Sequence, residues 1–392
     1  MSYNFTSSTN RENSNAEKYQ AREKLFGTKD VLPAWVADMD IDTPSFVLDA
    51  VKKRLEHSIT GYEYVPDSAY EAQIDWVKKK YGMSLTKEMI CHSYSVVTLM
   101  NVAIEAFSDE GDGVIIQTPI YPPFAHFVKE YKRKIVNNPL RLHDDGAYTF
   151  DIEDLRSKID KNTKLLLLCS PHNPVGRVWK REEIEAILEV CLEHNIVVFA
   201  DEIHSDLVFA PHQHIPFASL SAEAAKITIT AMGTGKTFNM AGFAMGSVAI
   251  IDEELRKKFL AVYDRIHLSQ GNVLSHVAVE AAYREGYEWL EALKIHLQNN
   301  YKELEKVLEK YGHVIKLTPL EGTYLAWLDC RNMGLSDKEI RGFFIEECKL
   351  GLSAGISFGR EGGGFMRLNF AVPSDTMTEI LNRLENGLKK RF

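Results

Sequence analysis

Apolar residues in this chain are grouped in two ways, and the grouping changes along its length. From about residue 110, short and nearly continuous apolar blocks alternate with longer stretches whose apolar positions recur every three or four residues. The blocks are GVIIQ (Gly113–Gln117), KLLLLCS (Lys164–Ser170), NIVVFAD (Asn195–Asp201), ITITA (Ile227–Ala231) and SVAII (Ser247–Ile251). Strands covered by helices on both faces read as unbroken apolar runs, whereas half-exposed strands alternate. Between the second and third blocks lies KREEIEAILEVCLEHN, which places Ile184, Ile187, Leu188 and Cys191 on one helical face. This alternation predicts an α/β fold with a mostly parallel sheet sandwiched by helices.

After Asp252 the pattern changes. It predicts long helices over Asp252–Arg265 and Tyr287–Tyr311, a shorter strand TYLAWLD (Thr323–Asp329) and a final helix at the C-terminus. That order suits a second, smaller α+β domain. The expected division is a large domain over residues 50–285 and a small one over 1–49 and 286–392.

The 392 residues are ample for such a core, and 45% hydrophobic with 26% charged residues is an ordinary globular composition. A net charge of −9 argues against a nucleic-acid-binding surface. No apolar run approaches membrane-spanning length, so no membrane partner is expected. The opening MSYNFTSSTNRENSNAEKYQ lacks an apolar signal core, which makes the cytoplasm the expected location. Cys91, Cys169, Cys191, Cys330 and Cys348 have neither metal-ligand nor CxxC spacing and read as buried free thiols. The histidines form no zinc signature, so no metal is expected; the pair in PHQHIP, flanked by prolines, reads as a surface loop.

The chemistry is sharper. GTGKTFN (Gly233–Asn239) ends like a phosphate-binding P-loop, but that motif needs a further glycine five positions before Gly235, and Thr230 stands there. Lys236 must therefore be read differently. In parallel α/β sheets, ligands bind beyond the carboxyl ends of the strands. PHNPVGRVW follows KLLLLCS, DEIHSD overlaps the end of NIVVFAD, MGTGKTFN follows ITITA, and TPIYPPF follows GVIIQ. One crevice then collects Asn173, Asp201, His204, Lys236 and Tyr121. These suit a pyridine ring bearing an aldehyde and a phosphate. A lysine amine can form a Schiff base with the aldehyde, a carboxylate can keep the ring nitrogen protonated, an aromatic ring can stack, and an amide can donate to the phenolic oxygen. Singly, each has an ordinary structural reading as cap, turn, core or surface residue; the case rests on their joint placement.

In this order and at these separations, SPHNPVGRVW, ADEIHSDLVF, KTFNMAG and GFMRLNFA resemble the fold-type-I pyridoxal-phosphate enzymes of the aminotransferase superfamily. PAWVADMDI, GYEY, TPIYPPF and EGTYLAWLD resemble more narrowly its MalY/PatB class of cystathionine β-lyases and C–S lyases. The likeness runs from about Pro33 to Pro373. It implies the PLP-dependent transferase-like fold and pyridoxal 5'-phosphate as cofactor. It further implies Lys236 as the Schiff-base lysine, Asp201 at the ring nitrogen, Asn173 at the phenolic oxygen, and His204 where many relatives carry tyrosine. Tyr121 is implied as the stacking ring and a candidate to assist the leaving group. Arg367 is implied to grip the substrate α-carboxylate, with Asn173 and Ala37 also at the substrate. Val96, Val97 and Thr234 are implied near the phosphate, and Tyr62 is implied to reach the cofactor of the other subunit in a homodimer with a shared active site. The family's usual serines before the lysine are Gly233 and Gly235 here, and no arginine closely follows Lys236. Ser95 and Thr98 are candidates to replace those hydroxyls. The implied reaction is α,β-elimination of L-cystathionine or L-cysteine to pyruvate, ammonia and a thiol. The alternatives are an aminotransferase of L-amino acids, a regulatory protein-binding role, or a homologue that has lost catalysis; the residues alone do not decide among them.

Overall fold

The computed structural model describes residues 3–7, 9–268 and 271–392. Its centre is a seven-stranded sheet: β1 (Ile90–Ser93), β2 (Gly113–Ile116), β3 (Lys134–Asn137), β4 (Thr163–Cys169), β5 (Val197–Asp201), β6 (Thr228–Met232) and β7 (Gly246–Ala249). The strand order is β1-β7-β6-β5-β4-β2-β3, and only β7 runs against its neighbours. All five apolar blocks are strands, and the sheet is mostly parallel as their composition requires. The reversed direction of β7 was not legible, because an apolar run looks the same read either way. The two edge strands β1 and β3 were missed: ICHS and KIVN are only four residues long and are interrupted by polar side chains, so neither reads as an apolar block.

Two apolar layers cover the sheet, and β4 shows why. Leu165, Leu167 and Cys169 point into one layer, with Leu99 and Ala103 of a helix over Val96–Phe107 and Phe259 of a helix over Glu253–Arg265. Leu166 and Leu168 point into the other, against Ile184, Ile187 and Cys191 of the predicted helix, observed over Arg181–Glu193. The side-chain period of two thus feeds both faces from one strand.

A second, antiparallel sheet has four strands: β8 (Lys316–Leu317), β9 (Leu325–Asp329), β10 (Ser353–Ala354) and β11 (Phe365–Asn369), in the order β8-β9-β11-β10. Helices over Tyr287–Glu309 and Ser374–Arg391 share one apolar cluster with it. The N-terminal segment joins this region, since Leu32–Pro33 pairs in parallel with Leu350–Gly351. The cysteines are free, and all but the half-buried Cys91 are buried. The PHQHIP loop is only partly a surface loop: the His214 ring turns inward and its Nε2 lies 2.8 Å from Glu202 Oε2. Among the described residues, no helix is long and apolar enough to cross a membrane, and no metal-binding group of His, Cys, Asp or Glu occurs.

Candidate active site

Loops beyond the strand ends meet segments from both ends of the chain around a cavity of about 520 Å³. Lys236, Asp201, Asn173, His204, Tyr121, Val96, Val97, Arg367 and Ala37 all line it. Of the remaining expected residues, Thr234 is buried beside the cavity without lining it, where Gly235 does instead. Tyr62 stands on the surface, fully exposed, far from any packing role within its own chain.

Lys236 lies on a single helical turn, Thr234–Thr237, directly after β6. The turn is anchored on its far side, where the Thr237 hydroxyl donates to Asp206 Oδ2 at 3.0 Å; Asp206 Oδ1 also accepts from Trp76 Nε1 and the Tyr81 hydroxyl. Lys236 Nζ donates to the Ala37 carbonyl at 2.6 Å, which also accepts from the Tyr324 hydroxyl at 3.0 Å. Burial, reinforced by the Arg367 charge, lowers the amine to about 8. A buried lysine beside a second cation is a nucleophile at near-neutral pH.

Asp201 ends β5 and is also buried. The Ile203 amide donates to its Oδ1 at 3.2 Å. Burial pushes its carboxyl up to about 6, against the pull of that amide and of Lys236. His204, one turn on, is lowered to about 3 by burial, with Lys236 and Arg367 adding to the effect, so its ring is neutral. Its Nδ1 is buried without a hydrogen-bond partner, and its ring meets Tyr324 edge-on at 6.0 Å.

Arg367 sits in the middle of β11, between Trp327 and Ser353 of the adjacent strands. Nη1 donates to Asn173 Oδ1 at 2.9 Å and Nη2 to the Trp35 carbonyl at 2.7 Å. The guanidinium lies over the Phe358 ring at 4.7 Å, and its Nε is buried without a hydrogen-bond partner. Burial lowers it to about 10. Among the described residues, no carboxylate pairs with it. A buried guanidinium held only by neutral acceptors is poised to take an anion from outside.

The last part is the N-terminal end of a helix. Ser95 caps the helix over Val96–Phe107, its Oγ accepting from the Thr98 amide at 3.2 Å and lying 3.0 Å from Thr98 Oγ1. Tyr94, Ser95, Val96 and Val97 face the cavity, and the first N–H groups of a helix lack intrahelical acceptors. Gly246, the first residue of β7, allows that end to sit close: a Cβ there would come 2.7 Å from the Val96 nitrogen. Gly235 is not crowded in this way, its Cβ position lying 3.5 Å from Ala241 Cα.

Reading the strand ends missed Trp35, Tyr94, Tyr324, Ser353 and Glu17 as cavity or supporting residues. Trp35 and Tyr324 fall within segments that carried the family likeness, PAWVADMDI and EGTYLAWLD, and so had a signal. Ser353 and Glu17 had none.

A profile of the family "Aminotransferase class I and II" matches residues 35–384. This chain belongs to the aminotransferase class I and II family. Within that family it is 40% identical over 386 residues to cystathionine beta-lyase PatB of Bacillus subtilis, covering 98% of this chain and 100% of that protein. Cystalysin from Treponema denticola, whose crystal structure contains pyridoxal 5'-phosphate, superposes with a TM-score of 0.96 at 33% identity over all of both chains. The PLP-bound C–S lyase from Staphylococcus hominis superposes at 0.90 with 32% identity, again over all of both chains. These likenesses extend over whole chains, so the fold is that of the PLP-dependent aminotransferases.

Proposed function

We propose that this family member is a pyridoxal 5'-phosphate-dependent carbon–sulfur β-lyase acting on L-cystathionine- or L-cysteine-type substrates. The observation that carries the reading is the convergence of a depressed lysine, a buried carboxylate and an unpaired arginine on one cavity, in a chain similar throughout to PatB. The residues fit the cofactor. Asp201 is a buried carboxylate without a cationic hydrogen-bond partner, which suits a protonated ring nitrogen. The helix end at Val96 and Val97, with the Ser95 hydroxyl, suits a phosphate. Tyr121 suits the ring face and Asn173 its phenolic oxygen. When bound, pyridoxal 5'-phosphate supplies an aldehyde that links to an amine and a ring that accepts the electron pair left at Cα.

The chain's own groups then have defined tasks. Arg367 and Asn173 hold the substrate α-carboxylate and so fix which Cα bond faces Lys236. The Lys236 amine, in its neutral form, would remove the Cα proton. The Ala37 carbonyl and Tyr324 hydroxyl keep that amine in position. His204, neutral, adds no competing charge. Loss of the Cβ thiolate and hydrolysis give thiol, pyruvate and ammonia.

We place the cofactor site in the large domain, residues 50–285, and Arg367 in the small one, residues 1–49 with 286–392. We also propose a homodimer. The stretch HSITGYEY (His57–Tyr64) is exposed along its whole length, with Tyr62 and Tyr64 bare to solvent; an arm of this kind suits the cavity of a second copy, where Tyr62 would reach the phosphate.

The test is incubation of the cofactor-loaded protein with L-cystathionine and no keto acid, assaying pyruvate and thiol together. Equal continuous release of both, lost in Lys236→Ala, is the expected result. Amino-group transfer to an added keto acid without thiol release would overturn the lyase reading in favour of an aminotransferase.

A further inference from the structure

Among the described residues that line the cavity, Glu17 is the one charged side chain that the proposed chemistry leaves unused. It shares the wall with Trp35, Tyr94 and Tyr121. It is exposed where Lys236 is half-buried and Arg367 buried, so it stands nearer the solvent end of the cavity than either. Burial raises the Tyr121 phenol, Arg367 pulls it down, and Asp201 and then Glu17 add smaller upward contributions.

The position is fixed from beneath. Glu17 opens the turn Glu17–Gln20, and the next residue, Lys18, is fully buried, with Nζ 2.8 Å from Asp40 Oδ2 and 3.5 Å from Asp38 Oδ1. The Lys18 carbonyl accepts from Trp35 Nε1 at 3.0 Å, which ties the turn to the cavity wall. An acidic residue in a first helical turn is unremarkable in itself. What the turn does not supply is a partner for it within its own chain. Among the described residues, no hydrogen bond or ion pair engages the Glu17 carboxylate. The two lining cations, Lys236 and Arg367, are committed in the interior to Ala37, Asn173 and Trp35.

We propose that Glu17 is a specificity-determining residue whose carboxylate receives a protonated amine carried on the leaving-thiol side of the substrate. The inference rests on the lyase reading and narrows its substrate class to thioethers of L-cysteine with an ammonium group a few bonds beyond sulfur. It also disfavours substrates whose side chain ends in a carboxylate alone, which the Glu17 carboxylate would repel.

Near-isosteric probes isolate the charge. S-(2-aminoethyl)-L-cysteine and S-propyl-L-cysteine differ at one terminal group, and S-(2-carboxyethyl)-L-cysteine reverses its sign. The ratio of kcat/KM for the aminoethyl over the propyl substrate is expected to fall about threefold to tenfold in Glu17→Gln. The loss should shrink with added salt, as for a partly exposed ion pair. Glu17→Lys should move the preference toward the carboxyethyl substrate. Binding of L-lysine against L-norleucine, which have no leaving group, is measured alongside by calorimetry on the loaded protein. A lysine preference lost in Glu17→Gln supports the assignment independently of elimination. Ratios unchanged within twofold in both measurements would overturn it. If no thioether is cleaved, the lyase reading falls, and the lysine and norleucine affinities still decide the role of Glu17.

Discussion

Replacing Asp201 by asparagine separates what this carboxylate does for the fold from what it does for the cofactor. In the cofactor-free protein, burial moves the carboxyl from 3.8 up to about 6. The folded chain therefore holds a proton in that interval that the unfolded chain releases. Stability falls as pH rises through the window and stays low above it. A displacement of about two pH units is worth ~3 kcal/mol once fully expressed. Two-state linkage with these values gives about 1 kcal/mol at pH 4.5 and about 3 kcal/mol at pH 7.5. Asparagine carries no such burden, and its side-chain carbonyl can still accept from the Ile203 amide. Cofactor-free Asp201→Asn should thus melt higher than the parent at pH 7.5. For a chain of 392 residues the difference is about 3–4 °C, and it should narrow to about 1 °C at pH 4.5. With saturating pyridoxal 5'-phosphate the order should invert, because the parent carboxylate then faces a ring cation and the asparagine does not. Scanning calorimetry of both proteins at both pH values, with and without cofactor, is the assay. A melting difference that is the same at the two pH values, or that has the same sign with cofactor as without, would refute the reasoning.

Three further outcomes are expected. Since burial lowers Lys236 to about 8, the neutral amine gains population up to that pH; the rate of covalent capture of pyridoxal 5'-phosphate, followed by absorbance, should rise about tenfold per pH unit below 8 and level off above it. Arg367→Lys loses the planar fork shared between Asn173 and Trp35, and kcat/KM should fall by about 2–3 kcal/mol, or roughly thirtyfold to 150-fold, chiefly through KM. Gly246→Ala puts a methyl group 2.7 Å from the Val96 nitrogen and should raise the cofactor Kd at least about tenfold, whereas the uncrowded Gly235→Ser should be tolerated and lower it; equilibrium dialysis checks both.

The parts of this molecule legible in the sequence are those where chemistry follows directly on a strand. Asn173, Asp201 and Lys236 come within a few residues of the ends of β4, β5 and β6, so locating the strands located them. Arg367 was legible only by family likeness, since it lies inside a strand of the second sheet rather than after one. Gly246 escaped notice because its importance depends on β7 running backwards, which brings the start of that strand to the edge where its neighbours finish. Ser353 reaches the cavity through a contact with Trp35 that spans 318 residues, and Glu17 through a turn tied to Trp35 that precedes every strand of the sheet, so reading strand ends finds neither. Tyr62 is the reverse case: its motif was plain, yet within one chain it touches nothing that explains it.

The bond between Lys236 and Ala37 has a consequence for how the protein is made. Its partners are 199 residues apart, and the hydrogen bond from Arg367 to Trp35 spans 332. Synthesis delivers Trp35 and Ala37, on the N-terminal wall of the cavity, long before the lysine and the arginine that close on them. The lysine can be exposed during synthesis, but the pocket that depresses it and gives it direction does not exist until the final strand has threaded between Trp327 and Ser353. Cofactor capture by the formed pocket is therefore expected to follow the docking of that strand rather than to precede it.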